Sequence, residues 1–199
     1  MNKTILIKLS GESLSGRNGH GLDFEYIKKI CMEIKMIHDE GVRVGIVCGG
    51  GNFLRGRDAH EMDRETADYV GIIDKINSDK AKAALDDGKI VVFGGGTGKP
   101  FFSTDTGASL RAIDIGADMI IKLTNVDGVY DKDPNKYSDA KMYDTVSYQT
   151  VIDNKLGVMD MEAIEMCRNN KIEIVVMNID TKNGLSRIIH GEKIGTIVK

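Results

Sequence analysis

The sequence predicts an α/β fold: a three-layer α/β/α sandwich with a mainly parallel central sheet. Three observations carry this expectation. Short apolar, β-branched runs recur at Thr4–Leu9, Val42–Cys48 and Ile90–Phe93 and read as strands buried on both faces. Segments of helical period separate them. Each strand opens onto a polar or glycine turn: Ser10-Gly11-Glu12-Ser13, Gly49-Gly50-Gly51-Asn52, and Gly94-Gly95-Gly96-Thr97-Gly98. In open α/β sheets, ligands sit at the carboxyl ends of strands.

The first strand, Thr4–Leu9, carries Lys8 near its carboxyl end. A lysine there followed by Ser-Gly is a compact phosphate-binding arrangement; a surface lysine at a strand end is the alternative. Gly16-Arg17-Asn18-Gly19-His20-Gly21 follows as a polar loop. Asp23 then caps a helix whose apolar positions are Phe24, Ile27, Ile30, Cys31, Ile34 and Ile37, and Gly41 closes it. The second strand ends in a glycine turn that faces the same crevice as the central one. Beyond it stands Arg55, placed either to fork onto a phosphate or to pair with Asp58 or Glu61. Asp63 starts a helix carrying Asp68, which is either a surface charge or the first polar group facing the crevice. His60 has no partner four residues on, so no metal motif is present there. Asn77–Asp87 reads as an exposed, charge-balanced helix.

The chain is organised around Gly94–Asp105. Four glycines in five positions let the backbone approach a ligand. Successive amides in such a turn form an anion nest, and the helix beginning behind it adds a favourable dipole. Ser103, Thr104 and Thr106 offer hydroxyls and an N-cap. Asp105 would repel phosphate unless a cation or proton donor lies between, a combination that suits phosphoryl transfer with Mg²⁺. Packing alone is the structural alternative for a glycine-rich turn. Met119–Leu123 forms a fourth strand with Lys122 near its end, followed by the Asp127-Gly128 turn and Tyr130, which either stacks on a base or packs in the loop. Ile172–Met177 is a fifth strand and Ile194–Val198 a short terminal one.

With 199 residues, 41% hydrophobic and 29% charged, the chain is sized for one domain spanning 1–199. A net charge of −3 gives no case for nucleic acid or an anionic membrane as partner. Cys31, Cys48 and Cys167 form no CxxC pair and are expected to pack as small buried apolar groups. The chain has no signal-peptide pattern and no apolar stretch long enough to span a membrane, so a cytoplasmic location is expected.

On these residues the chain resembles the bacterial-type uridylate kinases of the amino acid kinase family. The stretches that carry the resemblance are Lys8-Leu9-Ser10-Gly11-Glu12, Gly49–Gly56, Thr97–Thr106, Val126-Asp127-Gly128-Val129-Tyr130, Gly157-Val158-Met159-Asp160 and the tail Gly191–Thr196. The resemblance implies ATP-dependent phosphorylation of UMP to UDP, with Mg²⁺ carried by the ATP phosphates and no direct protein ligand to the metal. Lys8 and Lys122 would neutralise the transferring group, and Asp105 would position them. ATP would lie on Lys8, Leu9, Ser10, Gly11, Gly51, Arg55, Thr124, Asn125, Tyr130 and Asp133. UMP would lie on Gly50, Asp68, Thr97, Gly98, Lys99, Pro100, Phe101, Phe102, Ser103 and Thr104. Residues 1–93 would form the acceptor-side half and 94–199 the ATP-side half.

The family is typically hexameric, and the Gly16–Gly21 loop falls in its region of GTP regulation. The resemblance therefore implies a homo-oligomer with GTP and UTP as effectors. Two departures mark this chain. Leu85-Asp86-Asp87-Gly88-Lys89 bridges directly to the central strand, where relatives carry an additional segment that contributes to the acceptor wall and subunit contacts. Lys99 stands where the family usually has Asn. A weakened UMP preference and an assembly as small as a dimer are therefore expected. Two further readings stay open: a nucleotide-binding regulatory or assembly protein without turnover, and a kinase of the same fold acting on another small phosphate or carboxylate. Retention of Lys8, Asp105 and Lys122 together favours the enzyme.

Overall fold

The computed structural model describes residues 3–15, 21–50, 77–97 and 102–199. Among these, seven strands form one sheet: β1 (Thr4–Leu9), β2 (Arg43–Cys48), β3 (Val91–Phe93), β4 (Met119–Thr124), β5 (Thr145–Val146), β6 (Glu173–Asn178) and β7 (Thr196–Val198). Their order is β3-β2-β1-β4-β6-β7-β5, and every neighbouring pair is parallel except β6 with β7. The described helices are α1 (Gly11–Leu14), α2 (Phe24–Asp39), α3 (Ser78–Asp86), α4 (Thr104–Ile115), α5 (Tyr148–Asp153), α6 (Met161–Asn170) and α7 (Gly184–Ile189).

The period-2 alternation of β1 sorts its side chains between two layers. Ile5, Ile7 and Leu9 join Ile30, Ile34 and Ile37 of α2 and Leu185 of α7 in one core. Leu6 joins Ala108, Ala112 and Ile115 of α4 and Ile164 and Cys167 of α6 in the other. These two cores on either side of the sheet make the three layers. Caps fall where the residue chemistry places them. Asp23 accepts the Tyr26 amide at the start of α2, Asn77 accepts that of Lys80, and Ser103 accepts those of Asp105 and Thr106. From α3 the chain reaches β3 through a tight connection containing Gly88 at φ +72°.

Several expectations need correction. Phe24 is 74% exposed and Cys31 is also exposed, so neither belongs to the buried stripe of α2. Ile30, Ile34 and Ile37 are its buried residues, Tyr26 packs partly against the same core, and residues 24 and 31 are exposed. Cys48 is half-buried, and of the three cysteines only Cys167 is buried. The terminal strand starts at Thr196, two residues later than expected, because Gly195 adopts φ +67°. The helix expected from Asp63 lies outside the described residues.

Candidate active site

Lys8 and Lys122 are register partners on the adjacent parallel strands β1 and β4. Both belong to the alternation that faces α4 and α6, so two ammonium groups stand side by side in the protein interior. Like charges on neighbouring strands repel. Asp105, in the first turn of α4, lies between them: its Oδ1 is 2.9 Å from Lys8 Nζ and its Oδ2 is 3.1 Å from Lys122 Nζ. The three side chains are only 8%, 16% and 16% exposed for Lys8, Asp105 and Lys122. Lys122 also donates to the Val158 carbonyl at 2.5 Å.

The electrostatics follow from this arrangement. Burial pushes the Asp105 carboxyl up, but the attractions of Lys122 and Lys8 outweigh it and hold the group below the usual carboxylate range. Burial pulls the Lys122 ammonium below the usual lysine value, against the pull of Asp105 and together with repulsion from Lys8. With both ammonium groups protonated, the cluster carries one net positive charge in a poorly hydrated place, an arrangement chemically suited to an anion such as phosphate. Asp105 Oδ1 is buried without an aligned hydrogen-bond donor, although Lys8 pairs with it ionically.

Three turns meet at this cluster. A Cβ added at Gly49 would lie 2.9 Å from Thr104 Oγ1 and 3.3 Å from the Gly11 amide nitrogen, so glycine lets the ends of β1 and β2 and the start of α4 approach this closely. The turn after β3 holds Gly95 at φ +76° and Gly96 at φ +61°. Thr97 is half-buried, Gly50 is exposed with open space beside it, and Phe102 and Ser103 are exposed at the mouth. The Leu9 side chain packs into the α2 core, so only its backbone is available to the site. Ser10 is half-buried and Gly11 buried.

A cavity of about 350 Å³ opens beyond β4. One wall is Val126 and Gly128–Asn135; the other is Asn154–Gly157. Tyr130 and Asp133 line it, whereas Thr124 is half-buried and Asn125 exposed outside the lining. Asp133 accepts the Asn135 amide at 3.0 Å and pairs with Lys136; that backbone hydrogen bond, first, holds its carboxyl below the usual range. The loop is pinned from behind. Val129 N donates to Thr196 Oγ1 at 2.8 Å, Thr196 donates to the Tyr143 carbonyl, and Asn178 Nδ2 donates to Asp127 at 2.9 Å.

Of the residues expected at the site, Gly16, Arg17, Asn18, Gly19, His20, Gly51, Arg55, Asp68, Gly98, Lys99, Pro100 and Phe101 lie outside the described residues. Gly21 is described, at φ +69°. Sequence reading missed the Val158 carbonyl, Asp160 and the Asn154–Gly157 wall. A backbone acceptor has no sequence signal, and the Gly157–Asp160 stretch drew notice only through the resemblance.

The amino acid kinase family model matches residues 3–68 and 56–178. Among solved structures, the chain is similar to the UMP kinase from Bacillus anthracis, with 33% identity and a TM-score of 0.94 over 99% of this chain and 96% of that one. It is also similar to the UMP kinase from Ureaplasma parvum, with 31% identity and a TM-score of 0.90 over 100% and 99% of the two chains. The uridylate kinase from Archaeoglobus fulgidus matches at 27% identity and a TM-score of 0.80 over 98% and 99%. Buried lysines in register, a carboxylate between them and glycine turns at three strand ends sit within a sequence and fold match that spans nearly all of the chain, and the chain belongs to the amino acid kinase family.

Proposed function

We propose that this chain transfers the γ-phosphoryl group of ATP to the phosphate of UMP, giving ADP and UDP. One observation carries the reading: Lys8 and Lys122 stand in register, with Asp105 between them, at the junction of three turns. A UMP phosphate oxygen attacks the γ-phosphorus in line as the bond to the bridging oxygen of ADP breaks. The protein supplies position and charge, which is what this reaction demands. Lys8 and Lys122 neutralise the equatorial oxygens, and Asp105 keeps both ammonium groups aimed.

ATP phosphates lie over the backbone of Leu9, Ser10 and Gly11, with Gly51 and Arg55. The nucleoside lies in the cavity beside Tyr130 and Asp133, near Thr124 and Asn125. UMP lies along Gly50, Asp68 and the run Thr97–Thr104. On this assignment residues 1–93 and 94–199 both contribute to both ligands, and the nucleoside of ATP falls to 94–199 alone. Magnesium fits this donor set as a phosphate-borne ion, because a bare cation beside Asp105 would meet two ammonium groups. When bound, it supplies further positive charge to the phosphates.

Among the described residues no helix is long and apolar enough to cross a membrane. We place the enzyme in the cytoplasm as a homo-oligomer with GTP and UTP as effectors, the Gly16–Gly21 loop taking part in regulation. With the direct bridge from α3 to β3, the assembly is smaller than a hexamer, and UMP is preferred only weakly over CMP. A coupled assay of ADP release across nucleoside monophosphates, with light scattering for mass, tests the reading. Turnover with UMP supports it; ADP release dependent only on a non-nucleotide acceptor overturns it. A stable hexamer with UMP-exclusive kinetics would refute the part assigned to the short bridge.

A further inference from the structure

Asp160 precedes α6 and caps it, accepting the Ala163 amide at 2.8 Å. The same carboxylate reaches across to the first turn of α4. It accepts the Thr106 hydroxyl, with 3.0 Å to each oxygen, and the Ser103 hydroxyl. Ser103 Oγ in turn accepts the amides of Asp105 at 3.0 Å and Thr106 at 3.3 Å. Two residues upstream of Asp160, the Val158 carbonyl accepts Lys122 Nζ. The short segment 158–160 therefore grips both sides of the cluster: Lys122 on β4, and the turn of α4 that carries Asp105.

We infer that Asp160 is a positioning residue, whose carboxylate locks the Ser103–Thr106 turn in register with Lys122 and so aligns acceptor and phosphoryl-transfer groups. The inference rests on the phosphoryl-transfer reading above. Its chemistry is specific to a carboxylate. Capping α6 needs one acceptor, which Asn supplies as well as Asp. Receiving two hydroxyl protons from α4 while capping α6 takes both carboxylate oxygens, and hydrogen bonds to an ionised acceptor are the stronger kind. Ser103 thereby has its hydrogen committed to Asp160 and its lone pairs to two amides, so it shapes the acceptor run instead of binding phosphate through its hydroxyl. An error of about 1 Å in such alignment costs on the order of 100-fold in rate.

Asp160→Asn separates the two roles, since it keeps the cap of α6 and loses the grip on α4. The expected result is a kcat lower by roughly 10- to 100-fold, a raised KM for UMP, a KM for ATP within about threefold, and a melting temperature close to wild type. Thr106→Val, which deletes one of the gripped hydroxyls, should show a smaller loss of the same kind, and the double variant should be no worse than Asp160→Asn alone. A wild-type kcat in Asp160→Asn, strictly additive losses, or a fall in activity that tracks a fall in melting temperature would overturn the inference. Should the wild-type chain act on a different monophosphate, the UMP reading fails while these ratios still decide the role of Asp160. Nitrogen-15 NMR gives an arm independent of turnover. Asp160→Asn should move the Asp105 and Thr106 amide signals and the Lys122 side-chain signal, whereas shifts confined to α6 would reduce Asp160 to a cap.

Discussion

Replacing Asp105 with Asn keeps the shape of the side chain and removes its charge. In the wild-type protein that charge faces Lys8 Nζ at 2.9 Å and Lys122 Nζ at 3.1 Å, all three side chains being at most 16% exposed. At an effective dielectric near 20, each attraction is on the order of 5 kcal/mol before desolvation is counted. Removing one partner of a buried ionic set costs about 3–5 kcal/mol, because the remaining charges stay buried and unpaired. For a chain of this size that loss lowers the melting temperature by roughly 6–20 °C. ATP binding responds in the opposite sense. The site passes from one net positive charge to two, so Mg-ATP should bind Asp105→Asn at least as tightly as wild type and restore part of the lost stability. Turnover should still fall about 100-fold or more, since the lysines are no longer aimed when the transition state forms. Thermal denaturation with and without Mg-ATP, calorimetric titration and the coupled ADP assay measure the three quantities. Equal losses of ATP affinity and kcat would refute the reasoning and make Asp105 a ligand-affinity residue.

Lys8→Ala and Lys122→Ala should each lower kcat by roughly 100-fold or more, about 3 kcal/mol of transition-state stabilisation; near-wild-type rates in both would remove the lysine pair from the mechanism. The pH dependence has the same sign at both ends of the scale, stability rising with pH in each window. The depressed Asp105 carboxyl contributes stability that is fully present above its ordinary value near 4 and is lost as pH falls through its folded value. The Lys122 ammonium, also depressed, loses its proton more easily folded than unfolded, so it adds stability only as pH climbs through the alkaline range toward about 10.4. The alkaline limb of kcat should accordingly begin below the ordinary lysine value, and Lys122→Arg, tested by a pH–rate profile, should remove that limb even if its rate is lower. Gly195→Ala should raise the KM for ATP and lower the melting temperature. Gly195 sits at φ +67°, and its added Cβ would come 2.0 Å from the Val176 carbonyl oxygen, next to the Thr196 hydroxyl that holds the loop lining the cavity beyond β4. An unchanged KM for ATP would show that the loop does not depend on this anchor.

Much of the fold was legible in the sequence because its signals are local. The β1, β2 and β4 runs are apolar enough to be buried on both faces, and the structure gives their bounds within a residue of the expectation. Asp23 and Ser103 cap helices through their own side chains, which needs only a short polar acceptor before the first turn, whereas Asn77, expected inside its helix, proves to be a cap as well. The two-residue strand β5 is too short to show a period, and it exists only because β7 lies beside it. Phe24 and Cys31 were misplaced because an apolar residue near a helical stripe says little about which side of the helix the sheet will cover.

The sequence by itself determined the α/β class and the strand ends on which the glycine turns stand, and it offered Lys8, Asp105 and Lys122 as candidate residues. Each of these is a property of a residue and its near neighbours. Only the tertiary structure decided that Lys8 and Lys122 are register partners, that Asp105 spans them, and that the Val158 carbonyl and the Asp160 carboxylate hold the two sides together. Those relations join β1, α4, β4 and the start of α6, which are distant in the chain. They depend on how the sheet pairs and where α4 and α6 pack, and a local pattern of residues carries no information about either.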